Sequence, residues 1–196
     1  MSSRRPGATA TSVPRPPLNF SDSLTIPKDA RLSGSHSITI QAETVIHPRA
    51  RFDSSLGSIL IGRRCMIQER GELGTPPKES SNANYGGVTL GDYVVIESGA
   101  VVEAGGTDIE DGTVIQVGCR IGAGARIGKN CTITSRSVIA PGAIIPDNTV
   151  VYANGQSRID KRRIFDARKT MLLKQINISR KMIPNALTDF VKARDS

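Results

Sequence analysis

The 196-residue sequence contains no tryptophan, and aromatic residues make up only 4% of it. Large aromatic side chains fill much of the core in most layered globular folds. Their scarcity, beside 19 glycines and 11 prolines, predicts a narrow core built from small and branched aliphatic residues. The length is sufficient for one domain with a substantial core.

Long apolar runs are missing as well. No stretch approaches the roughly eighteen uncharged apolar residues that a membrane-spanning helix requires. No apolar run of the kind found in a signal peptide follows the N-terminus. We therefore expect no membrane span and a location in the cytoplasm.

Histidine occurs only twice, so one chain cannot supply the three imidazoles of a three-histidine zinc site. His36 comes four residues after Leu32, a position at which side chains are expected to turn inward. His47 directly precedes Pro48 at an expected corner and has no carboxylate at a fixed spacing to orient it as a general base. Both histidines are predicted to be structural.

The remaining reactive side chains follow the same pattern. Each of the three cysteines lies four residues after an aliphatic residue, and no C-x-x-C pair exists. The sequence therefore predicts reduced core thiols, rather than a disulfide or a metal site, at Cys65, Cys119 and Cys131. Several carboxylates are expected at outward or corner positions, with no pairing typical of acid–base catalysis: Glu97, Glu103, Asp108, Glu110 and Asp111. The sequence thus predicts no catalytic residue, no cofactor and no metal site.

The net charge of +8 is concentrated at the two ends of the chain. Residues 1–17 carry three arginines and no acid, and residues 157–196 carry eleven basic side chains against four aspartates. Basic ends on a nearly neutral body are typical of solubility or of docking to an acidic partner. Nucleic-acid binding is the weaker alternative, because no aromatic platform or binding motif accompanies the basic residues.

An aliphatic residue returns at every sixth position over more than forty residues. The unbroken series runs Ile109, Ile115, Ile121, Ile127, Ile133, Ile139, Ile145 and Val151. Shorter series with the same spacing precede it: Ile26 and Leu32; Ile40, Ile46 and Phe52; Ile61, Ile67 and Leu73; Leu90, Ile96 and Val102. Such a long repeat decides the fold before local propensity does.

Three hexads make one triangular coil, so the repeat predicts an all-β, left-handed parallel β-helix of about six coils. We assign residues 1–25 to a basic, proline-rich disordered lead and residues 26–156 to the β-helix. Residues 75–87 lack the repeat and are predicted to protrude as a loop. Residues 157–196 form a basic, helical C-terminus. Its apolar stripe, which includes Phe165, Leu172 and Ile176, is expected to pack along one flat face and to end near Pro184.

Four stretches in the same order resemble the dynactin subunit 6 family: ETVIHPRAR (43–51), ILIGRRCMIQE (59–69), IPDNTVVY (145–152) and RKMIPNAL (180–187). The resemblance covers roughly residues 26–190. It implies a non-catalytic scaffold in the pointed-end complex of dynactin, which supports dynein-driven transport along microtubules. The implied partners are a second β-helix subunit, an actin-related protein and a larger zinc-binding subunit. The implied location is the cytoplasm and cytoskeleton, and no homo-oligomer is expected.

The alternative is a hexapeptide-repeat enzyme, which the repeat also permits. Such an enzyme would be an acyltransferase or a protein similar to the γ-class carbonic anhydrases. It would form a homotrimer with its sites between protomers. The native mass of the purified chain separates this alternative from the scaffold hypothesis.

Overall fold

The computed structural model describes residues 16–77, 86–162 and 164–192. In this part of the chain, twenty short strands wind into a left-handed parallel β-helix with a triangular cross-section, and two helices follow. The β-helix begins at Leu18, earlier than the predicted boundary at residue 26, because Leu18–Phe20 pairs with Ile38–Ile40. The predicted lead therefore lies partly in the first coil, and its first fifteen residues lie outside the described ranges.

Three sheets form the sides of the prism, and their strand pairs are parallel except for β19 with β20. Sheet A contains β1 (Leu18–Phe20), β3 (Ile38–Ile40), β6 (Ile59–Ile61), β9 (Val88–Leu90), β12 (Thr107–Ile109), β15 (Arg126–Ile127) and β18 (Ile144–Ile145). Sheet B contains β4 (Val45–Ile46), β7 (Met66–Ile67), β10 (Val95–Ile96), β13 (Val114–Ile115), β16 (Thr132–Ile133), β19 (Thr149–Val151) and β20 (Ser157–Ile159). Sheet C contains β2 (Arg31–Gly34), β5 (Arg51–Ser54), β8 (Glu72–Thr75), β11 (Val101–Glu103), β14 (Arg120–Ile121) and β17 (Val138–Ile139).

The repeat residues stack inside the prism, as predicted. Ile40 pairs with Ile61 and Ile61 with Leu90, so equivalent positions lie directly above one another along each sheet. All three cysteines are buried in the corners with free thiols, which confirms their assignment as core residues. Burial raises the pKa of the Cys65 thiol to about 12, so this thiol stays protonated.

The helix α1 (Phe165–Met182) lies against the outer face of sheet B. Its buried side chains Leu172 and Ile176 pack on the outward valine and methionine side chains of Val45, Met66 and Val95. Leu172 and Ile176 of the predicted stripe thus lie on a flat face of the prism. A second helix, α2 (Leu187–Lys192), follows the break at Pro184.

The two ends of the prism are closed in different ways. At the last coil, β20 pairs antiparallel with β19. At the first coil, the segment between α1 and α2 caps the prism. The Asn185 side chain accepts a hydrogen bond from Ile26 N (3.1 Å) and donates one to Leu24 O (3.0 Å). This segment satisfies strand-edge groups that would otherwise be unpaired.

Candidate active site

The corner that joins sheet C to sheet A carries every departure from the six-residue repeat. We call it the CA corner, made of residues 35–37, 55–58, 76–87 and 104–106 in successive coils. The aliphatic residues on its two sides are eight residues apart in the first coil (Leu32 to Ile40) and nine in the second (Phe52 to Ile61). The predicted loop 75–87 belongs to this corner, and its residues 78–85 lie outside the described ranges. Extra backbone therefore accumulates along one edge of the prism.

His36 lies at the CA corner and is exposed, so the prediction that it turns inward was wrong. The two additional residues between Leu32 and Ile40 place it outside the core. Its Nδ1 lies 2.8 Å from the carbonyl oxygen of Ser54. A carbonyl can only accept, so Nδ1 carries the hydrogen and the neutral ring keeps its lone pair on Nε2. In this tautomer, Nε2 is the nitrogen that can accept a proton.

Ser54 fixes the backbone beside this ring. Its carbonyl oxygen also accepts a hydrogen bond from His36 N at 3.2 Å, and its hydroxyl lies 2.7 Å from His36 O. Ser54 is fully buried, so this anchor is shielded from water. The backbones pass so closely here that a Cβ on Gly34, whose φ is +109°, would come within 2.5 Å of Ser54. The local sequence thus holds the imidazole in one place while exposing its outer edge.

His47 lies at a second corner of the prism, between sheets B and C; a corner position was predicted for it. Its ring is half-buried. Among the described residues, its Nε2 is the one buried side-chain nitrogen or oxygen without a hydrogen-bond partner. Burial lowers the pKa of His47, and the nearby Glu69 carboxylate opposes this effect. Because its Nε2 is enclosed, His47 is less suited than His36 to contact a substrate. The two histidines do not meet within one chain.

Glu103 ends β11 directly before the CA corner, and its side chain is buried. It is 5% exposed at the CA corner, where its Oε1 lies 3.4 Å from the Arg120 guanidinium and its Oε2 accepts a hydrogen bond from Ala123 N. A buried carboxylate needs such partners. The pairing indicates a structural role for Glu103 in holding the corner together. Of the other four carboxylates, Glu110 is exposed, and Glu97, Asp108 and Asp111 are partly exposed.

A groove of about 520 Å³ crosses the outer face of sheet A and begins at the CA corner. Its lining includes Ser58 of the corner and Asp108 and Arg126 on the sheet. Asp108 and Arg126 are directly paired positions on adjacent strands, but no ion pair within 4 Å joins their side chains. Among the described residues, no group of three or more histidine, cysteine or carboxylate side chains is arranged to hold a metal ion.

The groove and the histidine are connected through the backbone. The carbonyl oxygen of Ser37 accepts a hydrogen bond from Ile59 N at 2.9 Å. The segment that carries His36 is therefore stacked directly on the segment that carries Ser58. The slips in the repeat were visible in the sequence, and their coincidence at one corner was the signal that could have identified this site.

Solved structures with a similar fold include proteins named as transferases. A hexapeptide transferase family protein from Anaplasma phagocytophilum superposes with a TM-score of 0.69 at 13% identity, covering 84% of this chain and 92% of that one. A putative acetyltransferase from Bacillus cereus gives 0.58 at 16% identity, covering 84% and 91%. A UDP-N-acetylglucosamine acyltransferase gives 0.52 at 14% identity, covering 86% and 80%. These likenesses establish the left-handed β-helix fold.

No protein-family model matches the chain, and no curated protein sequence matches it. None of the helices in the described part of the chain is long and apolar enough to cross a membrane. The likeness to solved structures therefore shows the fold, a left-handed parallel β-helix.

The comparisons overturn the dynactin interpretation. The structures reported above are named as transferases, and nothing in the comparisons supports dynactin subunit 6 or a role in dynein transport. The prediction of a non-catalytic scaffold is wrong for the same reason, because these neighbours favour the enzyme alternative. The predicted dynactin partners, and the expectation that the chain forms no homo-oligomer, are contradicted with it.

Proposed function

We propose that this chain is a hexapeptide-repeat acyltransferase that acts as a homotrimer, with His36 as its general base. The observation that carries the proposal is the exposed imidazole whose Nδ1–H is fixed on the Ser54 carbonyl at 2.8 Å. The names of the structural neighbours support the reaction class. Of the two enzyme types considered, the carbonic-anhydrase type is less well supported, because the chain has two histidines and they lie at different corners.

The reaction follows from the position of the free lone pair. An amine or hydroxyl of the acceptor donates its proton to His36 Nε2 while its heteroatom attacks the carbonyl carbon of an acyl thioester. The C–S bond breaks, and the leaving thiolate takes the proton back from the imidazolium. The Ser54 carbonyl stabilises the imidazolium through the Nδ1–H bond. The products are the acylated acceptor and a free thiol, and the imidazole returns to its neutral form.

The groove on sheet A is the place that suits the substrates. It borders the CA corner at Ser58, in the coil next to that of His36, although His36 itself does not line it. Its side chains Asp108 and Arg126 offer one carboxylate and one guanidinium without an ion pair between them. Sheet A is also free of the helix that covers sheet B, and its outward side chains Leu60 and Ile144 are exposed. In the homotrimer, this face meets a neighbouring protomer, so each active site lies between two copies.

The test is an acyl-transfer assay on the purified chain. Acetyl-CoA is offered with a panel of amino-sugar and hydroxyl acceptors, and release of the free thiol is followed. We expect turnover with at least one acceptor and a loss of about 10²–10⁴-fold in kcat for His36→Gln. The matched control, His47→Gln, should retain most of the activity. Absence of turnover across the panel, or equal activity of His36→Gln and wild type, would contradict the proposal.

A further inference from the structure

The helix α1 carries a second apolar stripe on a side that does not touch sheet B. Met171, Ile178 and Met182 are 64%, 58% and 75% exposed. They are seven and four residues apart, so they share one face of the helix. At 3.6 residues per turn, this face lies about 120° around the helix axis from Leu172 and Ile176, which are buried on sheet B. The three exposed side chains therefore form an apolar ridge along the outside of the prism, which we call the outer ridge.

Two lysines lie beside the outer ridge, opposite the buried face of α1. Lys174 and Lys181 are exposed, and neither forms an ion pair with another described residue. Each follows an apolar residue of the ridge by three positions, Met171 and Ile178 respectively. The whole helix contains five basic residues and one acidic residue, Asp166. The outer ridge thus presents apolar groups next to unpaired positive charge.

This pattern does not suit a helical protein partner. A two-stranded coiled coil needs apolar residues at both the a and the d positions of each heptad. If Met171 and Ile178 take the a positions, the d positions fall on Lys174 and Lys181. A helix packed there would bury two ammonium groups, which costs free energy unless each one is paired. At a lipid surface, by contrast, the lysine stems lie along apolar groups while the ammonium groups stay among the head groups.

We propose that the outer ridge of α1 binds the surface of an anionic lipid bilayer. Met171, Ile178 and Met182 insert at the boundary between the head groups and the acyl chains. Lys174 and Lys181 contact the anionic head groups. The inner face of α1 stays on sheet B, so the β-helix remains folded at the membrane surface. This binding is independent of the proposed acyl transfer.

Vesicle sedimentation of the full-length chain measures the charge dependence. We expect binding to vesicles of phosphatidylcholine mixed with phosphatidylserine, weakened by added salt, and little binding to phosphatidylcholine alone. Lys174→Gln and Lys181→Gln should each weaken binding by about 5-fold, as expected for one basic side chain close to an anionic surface. The matched control is Arg31→Gln, which removes an exposed charge from sheet C, on another side of the prism. It should change the affinity by less than about 2-fold, because salt screens distant charges.

The insertion of the apolar side chains has its own readout. The chain contains no tryptophan, so a single introduced tryptophan reports its own surroundings. The emission of Ile178→Trp should shift to shorter wavelength on the anionic vesicles. Val138→Trp, which replaces an exposed apolar residue of sheet C, should show no shift. Ile178→Ser should weaken binding by about 3–10-fold, because it removes apolar area from the contact.

Several results would overturn the proposal, once circular dichroism has shown that each variant is folded. Equal losses for Arg31→Gln and Lys174→Gln would show adsorption by net charge alone. An unshifted emission of Ile178→Trp, or no binding by the wild-type chain, would exclude a lipid surface as the partner. A lower native mass of Ile178→Ser would instead assign the outer ridge to a second copy of the chain. Acyl transfer without vesicles should be unchanged by Ile178→Ser, so failure of this proposal is distinguishable from failure of the proposed function.

Discussion

Substituting Asn185 by alanine should destabilise the whole β-helix, although this residue lies at the surface near the C-terminus. Its side chain accepts hydrogen bonds from Ile26 N at 3.1 Å and Leu187 N at 3.2 Å and donates one to Leu24 O at 3.0 Å. Leu24 and Ile26 are buried, so truncation leaves strand-edge groups of the first coil without partners.

The magnitude follows from these bonds. Each contributes about 0.5–1.5 kcal/mol, and a buried group that loses its partner costs about 1–3 kcal/mol. The backbone bond from Ala186 N to Ile26 O survives, so the segment is not released completely. We expect a loss of about 2–3 kcal/mol in the free energy of unfolding. For a domain of this size, that corresponds to a fall of about 5–10 °C in Tm.

Urea denaturation followed by circular dichroism measures this loss, and an unchanged m value would show that the unfolded state is unaffected. The matched control is Asn177→Ala, which removes the same side chain from an exposed position of α1. That control should be neutral or slightly stabilising, because alanine is the better helix former. A loss below about 0.5 kcal/mol for Asn185→Ala would refute the view that the C-terminal segment caps the first coil.

Three further predictions address histidine, glycine and cysteine. The folded state disfavours protonation of His47, whose pKa is lowered by burial, so stability should fall as pH drops from 7.5 to 5.5. In thermal melts, His47→Gln should make the stability depend less on pH. An unchanged pH dependence would contradict the conclusion that burial lowers the pKa of His47. The loss in the free energy of unfolding should be about 1–3 kcal/mol larger for Gly112→Ala than for Gly99→Ala. Both glycines have φ near +68°, but only at Gly112 would an added Cβ lie 2.2 Å from the Phe165 ring. Equal losses in urea titrations would refute this contact. Because all three cysteines are buried, Ellman's reagent should react with none of them in the native protein and with all three in denaturant. Rapid reaction of Cys65 or another thiol in the native protein would contradict the structure.

The fold was predictable from the sequence because one side chain per hexad must fill a narrow prism. The series from Ile109 to Val151 repeats without a slip, so its strands and their register follow directly. The helix α1 was predictable for a similar reason, since its stripe needed a flat apolar face. The cap at Asn185 was not predictable, because it depends on where α1 ends in space rather than on a local pattern.

The candidate site was harder to predict. His36 was assigned to the core by counting four from Leu32, but the corner contains two additional residues and carries the ring outward. Its tautomer depends on the carbonyl of Ser54, which lies eighteen residues away in sequence and one coil away in space. The burial of Glu103 likewise depends on Arg120 in the next coil. Such contacts between coils cannot be derived from the spacing of a single residue type.

The dynactin interpretation failed for a related reason. The stretches that carried it, such as VIHP and IPDNTVVY, are repeat residues and turn residues that the β-helix itself requires. A likeness built on such residues reports the fold and not the partner. Of the surface features that could separate a scaffold from an enzyme, His36 lies outside those stretches, and the groove on sheet A overlaps them only at Ile145, Pro146 and Asp147.

The central claim is that this chain assembles with copies of itself and forms its sites between them. Sedimentation equilibrium of the purified 20.9-kDa chain tests it most directly. The account predicts a single species of about 63 kDa at micromolar concentration, three copies in a closed ring. A stable monomer of 20.9 kDa over the same concentration range would contradict it.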